Sequence, residues 1–97
     1  MPCEISLLAE ADLREIGDYI ARDNPKRAES FIDELLAHGE KIAAMPTAYV
    51  AREELAPGLR TCAHQRYIIF FRIIPSGARI ERIINAARDL TTIDFDA

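Results

Sequence analysis

Six arginines fall between Gly58 and Arg88, at Arg60, Arg66, Arg72, Arg79, Arg82 and Arg88, against one acid, Glu81. Each guanidinium presents a planar fork of donors that fits a carboxylate or a phosphate, so the segment could hold an anionic partner. It sits in an acidic frame. Residues 1–57 carry a net charge of −6, residues 58–88 carry +5, and the last nine, with Asp89, Asp94 and Asp96, carry −3. Both lysines, Lys26 and Lys41, lie in the first half. The plainer alternative is a wet sheet face, because solvated charge on one side of a sheet is common.

A second candidate chemistry is thiol nucleophilicity. Cys62 and His64 stand at i and i+2, which puts both on one face of a strand, and an imidazole beside a thiol is the minimum for a cysteine nucleophile. A packed thiol next to a surface imidazole is the simpler account. His38 falls on the solvent side of a helical pattern, and no metal-ligand spacing joins it to His64. Glu53-Glu54 and Asp33-Glu34 are most simply solvated charge. The four glycines are scattered, with no phosphate-binding loop, and no cofactor or metal is indicated.

These groups need a frame. Residues 3–8 form a first, mostly apolar strand. Ala9, Leu13, Ile16 and Ile20 then recur at helical spacing, with Glu10, Asp12, Glu15 and Asp18 off the stripe. Asn24 caps a second helix that Pro25 opens, and its stripe is Ala28, Phe31, Ile32, Leu35, Gly39, Ile42 and Ala43, ended by Pro46. So short a break predicts an antiparallel helix hairpin, with Gly39 either bringing the two helices close or simply tolerated within the helix. Residues 47–58 make a polar connection without periodicity.

Three strands follow, from Leu59 to about His64, Tyr67 to Ile74, and Arg79 to Ala87, with Pro75-Ser76-Gly77-Ala78 as a turn. Tyr67–Ile74, apolar on both faces except for Arg72, predicts a central strand. Pairing Ile74 with Arg79 would set Arg72 opposite Glu81, Phe70 opposite Ile83 and Ile69 opposite Ile84. The fold class is α+β: a strand, an antiparallel helix hairpin and a three-stranded antiparallel sheet. The first strand makes four in all, with the sheet's second face only partly covered.

A chain of 97 residues, 49% hydrophobic and 29% charged, predicts one globular domain over residues 1–97. No apolar run approaches the roughly 18 residues that span a bilayer, and Met1-Pro-Cys-Glu has no signal-peptide character. Two isolated thiols, Cys3 and Cys62, fit a reducing cytoplasm. The acidic total argues against indiscriminate nucleic-acid binding, although a local basic patch could still support it, and no direct sequence-specific nucleic-acid binding is expected.

Several motifs carry a family resemblance. Ala11-Asp12-Leu13-x-x-Ile16-x-x-Tyr19-Ile20-Ala21 followed by Asp23-Asn24-Pro25-x-x-Ala28 resembles the ParE helix hairpin. Pro57-Gly58-Leu59-Arg60, Tyr67-Ile68-Ile69-Phe70-Phe71-Arg72 and Arg82-Ile83-Ile84-x-x-Ala87-Arg88-Asp89 resemble its strands and terminal signature. The match spans residues 5–89 of the RelE/ParE toxin superfamily pattern. That resemblance implies a toxin of a type II toxin–antitoxin pair, with DNA gyrase as target and a ParD-like antitoxin as partner in a hetero-oligomer. It implies a cytoplasmic, membrane-free, non-enzymatic protein. RelE relatives are instead ribosome-dependent mRNA endoribonucleases that use lysines, arginines and a tail tyrosine. Here the strand before Tyr67 has no lysine and residues 90–97 have no tyrosine. A non-toxic family member is the remaining alternative. The resemblance makes Arg60, Arg66, Arg88 and Asp89 the target-binding candidates, and Tyr19, Ile20, Phe31, Leu35 and Tyr49 the antitoxin-binding ones.

Overall fold

The computed structural model describes residues 3–95; Met1-Pro2 and the tail acid Asp96 with Ala97 lie outside the described residues. Strand β1 (Cys3–Ile5) is shorter than the expected 3–8, because Ser6 caps helix α1 (Leu7–Ala21) by accepting the Ala9 amide at 3.0 Å. That bond satisfies one of the orphan donors of a helix's first turn and draws Leu7 and Leu8 into the helix. Helix α2 (Pro25–Ala44) starts as its sequence dictates, with Pro25 at the first position and the Asn24 side chain accepting from the Arg27 amide at 3.1 Å.

The helix glycine at the hairpin contact is not the one expected. Gly39 does not face the other helix. A Cβ there would stand 2.8 Å from Ile80 Cδ1 and 3.0 Å from Cys3 Sγ, so Gly39 lets α2 lie close on the sheet. Gly17 is the glycine that faces across the hairpin, and its Cβ would meet Ile32 Cγ1 at an ordinary 3.7 Å. Gly17→Ala should therefore stabilise the domain by about 0.5–1 kcal/mol through helix propensity alone. Gly39→Val, overpacking the seam against Ile80, should cost about 2 kcal/mol. Urea unfolding of the two variants beside the parent distinguishes them by sign.

Among the described residues five strands form one sheet, in the order β1-β5-β4-β3-β2, with β1 parallel to β5 and the other pairs antiparallel. Strand β2 (Val50–Ala51) lies inside the segment expected to be a plain connection. Two residues are too few to show a period. Strands β3 (Arg60–His64), β4 (Tyr67–Ile74) and β5 (Gly77–Asn85) form the antiparallel meander, with β4 in the centre as expected.

The β4–β5 register differs from expectation. The turn is the tight Pro75-Ser76 pair, so Ile74 opposes Gly77 and Arg72 opposes Arg79. A shift between Phe70 and Phe71 then leaves Glu81 as an extra residue on β5, with Phe70 opposite Arg82 and Ile69 opposite Ile83. Arg72 still reaches Glu81, at 3.1 Å, because two residues beyond Arg79 the acid is its diagonal neighbour on the same face.

Both faces of the sheet are covered, contrary to the half-open sheet expected. On the helix side, Ile16, Phe31, Leu35 and Ile42 pack with Ile69, Phe71, Ile80 and Ile83. On the other side Phe70, Leu59 and Ile84 pack with Ala56 and Phe95, so the 52–59 loop and the tail act as a lid. Phe95 stacks tilted on Phe70, with ring centroids 4.9 Å apart.

Candidate functional site

The basic segment resolves into four arginines held inside the fold and two that are not. Arg60 donates from Nη1 to the Tyr49 carbonyl at 2.8 Å, strapping the β2 connection to β3. Arg72 contacts Glu81 and donates from Nε to the Pro57 carbonyl at 2.9 Å. Arg79 donates from Nε to Glu81 at 3.2 Å, so two cations converge on one buried carboxylate.

Arg82 makes the fourth and strongest contact. Its fork grips Asp12 through Nε to Oδ2 at 2.8 Å and Nη2 to Oδ1 at 2.9 Å, and Nη1 reaches the Asp94 carbonyl at 2.7 Å. Asp12 also accepts the Ile83 backbone N–H at 2.9 Å. Strand β1 pairs with β5 only as far as Ile80. Beyond it Ser6 Oγ donates to the Glu81 carbonyl at 2.8 Å and Asp12 takes over Ile83, so α1 finishes an otherwise open strand edge. Asp12, expected off the apolar stripe and on the wet face, is 7% exposed. No hydrophobic period could have found it. The signal was an acid one turn from Ala9 and four residues before Ile16, on the stripe's flank.

Arg66 and Arg88 remain, both exposed, with no side-chain hydrogen bond or ion pair among the described residues. The fold brings them to one end of the sheet. Gln65, at φ +54°, and Arg66 form the tight β3–β4 turn, where His64 opposes Tyr67. The Arg66 carbonyl accepts the Ala86 amide at 2.8 Å, which ties that turn to the end of β5 two residues before Arg88. Asp89 is a cap. Its carboxylate accepts from Thr91 N at 3.0 Å and Thr91 Oγ1 at 2.7 Å, bonds that hold its pKa below the ordinary aspartate value. Its part is thus to fix the chain next to Arg88.

Two surface hollows meet at this end and share Tyr19 and Tyr67. One, of about 210 Å³, is bordered by Arg88, Asp12, Glu15 and Asn85; the other, of about 240 Å³, by Arg66, Arg27, Ile20 and Phe31. Tyr19, 65% exposed, stands between them. Arg27 is neutralised by Glu34 at 2.7 Å, so of the arginines lining the hollows Arg66 and Arg88 are those without an ion pair among the described residues, and Arg22 stands over the Tyr19 ring at 5.9 Å. Arg60 lies at the opposite end of β3 and does not join them.

Of the antitoxin candidates, Tyr19 and Ile20 reach this surface. Leu35, 1% exposed, offers no docking face, and Phe31, 4% exposed, belongs to the core between α2 and the sheet and shows only an edge to the second hollow. Tyr49 is half-buried edge-on against Phe71, with ring centroids 5.8 Å apart. Helical spacing marks a buried stripe and a docking stripe alike, so burial alone separates them.

The thiol–imidazole pair also differs from expectation. His38 is half-buried, and Cys62 meets it, with Sγ 3.1 Å from His38 Nε2. Burial pushes the Cys62 thiol's pKa up, which disfavours a nucleophilic thiolate. The Cys3 thiol is pushed up to about 11 by burial and by nearby Glu40. Among the described residues no cluster of three His, Cys, Asp or Glu side chains could hold a metal ion, and no helix is long and apolar enough to cross a membrane.

Comparison with known proteins gives a consistent picture. A family model described as the ParE toxin of type II toxin–antitoxin systems, parDE, matches residues 3–90. Toxin ParE1 of Caulobacter vibrioides is 35% identical over 83 residues, which cover 84% of this chain and 83% of that protein. A solved chain of the chromosomal ParDE system from P. aeruginosa has a TM-score of 0.73 at 23% identity, covering 88% of this chain and 95% of that one. At that identity the likeness is one of fold.

Proposed function

The chain belongs to the ParE toxins of type II toxin–antitoxin systems, and from that premise we propose that it inhibits DNA gyrase and is silenced by a ParD-like antitoxin. The observation that carries the reading is the partition of the arginines. Four are absorbed by Glu81, Asp12 and backbone carbonyls, while Arg66 and Arg88 stand uncompensated beside Tyr19 and Tyr67. Arginine and tyrosine on a shallow surface are what the centre of a protein interface favours.

The same surface supports binding over phosphodiester cleavage. Neither hollow is lined by a lysine or a histidine among the described residues. RNA cleavage needs a group to take the 2′-hydroxyl proton as well as cations for the phosphate. The two histidines are turned on each other between α2 and β3 instead.

The antitoxin would cover exposed Tyr19 and half-buried Ile20, and so compete with gyrase for the ground around Arg66 and Arg88. Purified toxin should block gyrase supercoiling, and a stoichiometric antitoxin should restore it. Unchanged supercoiling at saturating toxin would sink the reading, and site-specific cuts in translated mRNA would replace it with the RelE-type activity.

A further inference from the structure

His38, His64 and Cys62 form a continuous polar seam between α2 and β3. His38 Nδ1 lies 2.8 Å from His64 Nδ1, His38 Nε2 lies 3.1 Å from Cys62 Sγ, and the Cys62 thiol points to the Ala63 carbonyl at 3.6 Å. His64 Nε2 is buried without a hydrogen-bond partner among the described residues, and the facing acid oxygen, Glu34 Oε1, is 3.9 Å away.

Two imidazole nitrogens 2.8 Å apart must share one hydrogen. Two lone pairs there would repel, and two N–H groups would collide. The contact therefore survives when the pair is neutral, and also when it carries one extra proton on either ring. It cannot survive with both rings charged, since each Nδ1 would then bear a hydrogen. We propose that the 2.8 Å contact between His38 and His64 holds a single hydrogen and breaks when both rings are protonated, so that acid releases α2 from β3 along this seam.

The surroundings favour that behaviour. From α2, Glu34 faces His64 but is already gripped by Arg27, and Lys41 acts on both His38 and Cys62. From β3 comes Cys62, whose raised pKa keeps the thiol protonated in the imidazole range. Tyr67 of β4 opposes His64, and Phe31 packs edge-on against the His64 ring with centroids 5.4 Å apart. Burial first, then the charges of His64 and Lys41, hold the His38 pKa below its ordinary value. A group held below its unfolded pKa contributes stability above that pKa and loses it as pH falls through the folded value. The sign is acid lability. The seam also adjoins Phe31 and Tyr67, so its opening would loosen a wall of the hollow beside Arg66.

The test is imidazole titration by nitrogen-resolved NMR on the full-length protein from pH 8 to 4, with thermal unfolding of the parent and His64→Gln. Two coupled steps are expected, with amide protection across residues 34–41 and 62–64 falling at the lower one. Between pH 7 and pH 5 the parent should lose roughly 5 °C more in Tm than His64→Gln, whose amide can turn its carbonyl toward a charged His38. Two independent titrations near the ordinary value of about 6.5 would overturn the proposal. So would equal acid losses in parent and variant. If the variant does not fold, the parent's titration decides alone.

Discussion

Asp12→Ala is expected to lower the unfolding free energy by about 3–5 kcal/mol, a large share of the roughly 5–15 kcal/mol that holds a domain of this size. The substitution strands two groups at once. Arg82, itself mostly buried, loses both bonds of its bidentate grip and keeps the Asp94 carbonyl. The Ile83 amide loses its acceptor at the point where β1 no longer covers the β5 edge. A buried cation without a counter-charge and a buried donor without an acceptor each carry a full desolvation cost. The Arg82 pKa is raised by its bond to Asp12 and by the charges of Asp12, Asp94 and Glu15, so the guanidinium will not escape by losing its proton. Tm should fall by about 12–40 °C. Asp12→Asn should be milder, since the amide oxygen can still accept from Ile83. Replacing both partners with apolar residues should cost less than either single truncation, because nothing charged is left behind. A loss below about 1 kcal/mol for Asp12→Ala would mean that water, not α1, satisfies this edge.

That pair marks the boundary of what the chain's pattern discloses. The helix hairpin was legible because Asn24, Pro25 and the stripe from Ala28 to Ala43 act locally, each within a turn of its neighbours. The central strand was legible because an unbroken apolar run leaves little choice. Three things were not. The β4–β5 register depends on whether the turn uses two residues or four, and Pro75-Ser76-Gly77 permits both. The bulge at Glu81 is invisible to a period of two. The buried roles of Asp12 and Gly39 are set by contacts with β5, some 70 and 40 positions away in the chain. The pairing of Arg72 with Glu81 was anticipated from the wrong register, and it stands because a diagonal neighbour two residues on is still within reach of an arginine.

The same contacts recast the basic segment. A net charge of +5 over residues 58–88 suggests a broad cationic face, yet most of that charge holds the meander together. Arg72 and Arg79 share Glu81, Arg82 is spent on Asp12, and Arg60 secures the Tyr49 carbonyl. Net charge thus overstates the interface.

Because so little charge remains free, the double variant Arg66→Glu/Arg88→Glu should weaken gyrase inhibition by about 100-fold or more while leaving Tm unchanged. Each reversal removes a candidate anchor and sets a like charge against an acidic partner surface. Central arginines of interfaces commonly account for 2 kcal/mol or more, and 1.4 kcal/mol is already tenfold. Stability should not move, since neither side chain has an ion pair or hydrogen bond among the described residues. Arg14→Glu, an exposed reversal on the face of α1, controls for global charge. It should shift inhibition by no more than a few-fold and in proportion to ionic strength, as screened long-range attraction does. Arg79→Glu is a poor control, because it would place a second carboxylate beside buried Glu81 and destabilise the sheet. Single reversals rank the two sites: Arg88, held in place by the Asp89 cap, should cost more than Arg66 on its two-residue turn. A folded double variant that inhibits gyrase as well as the parent would remove this end of the sheet from the interface and return the search to the exposed β2 edge at Val50.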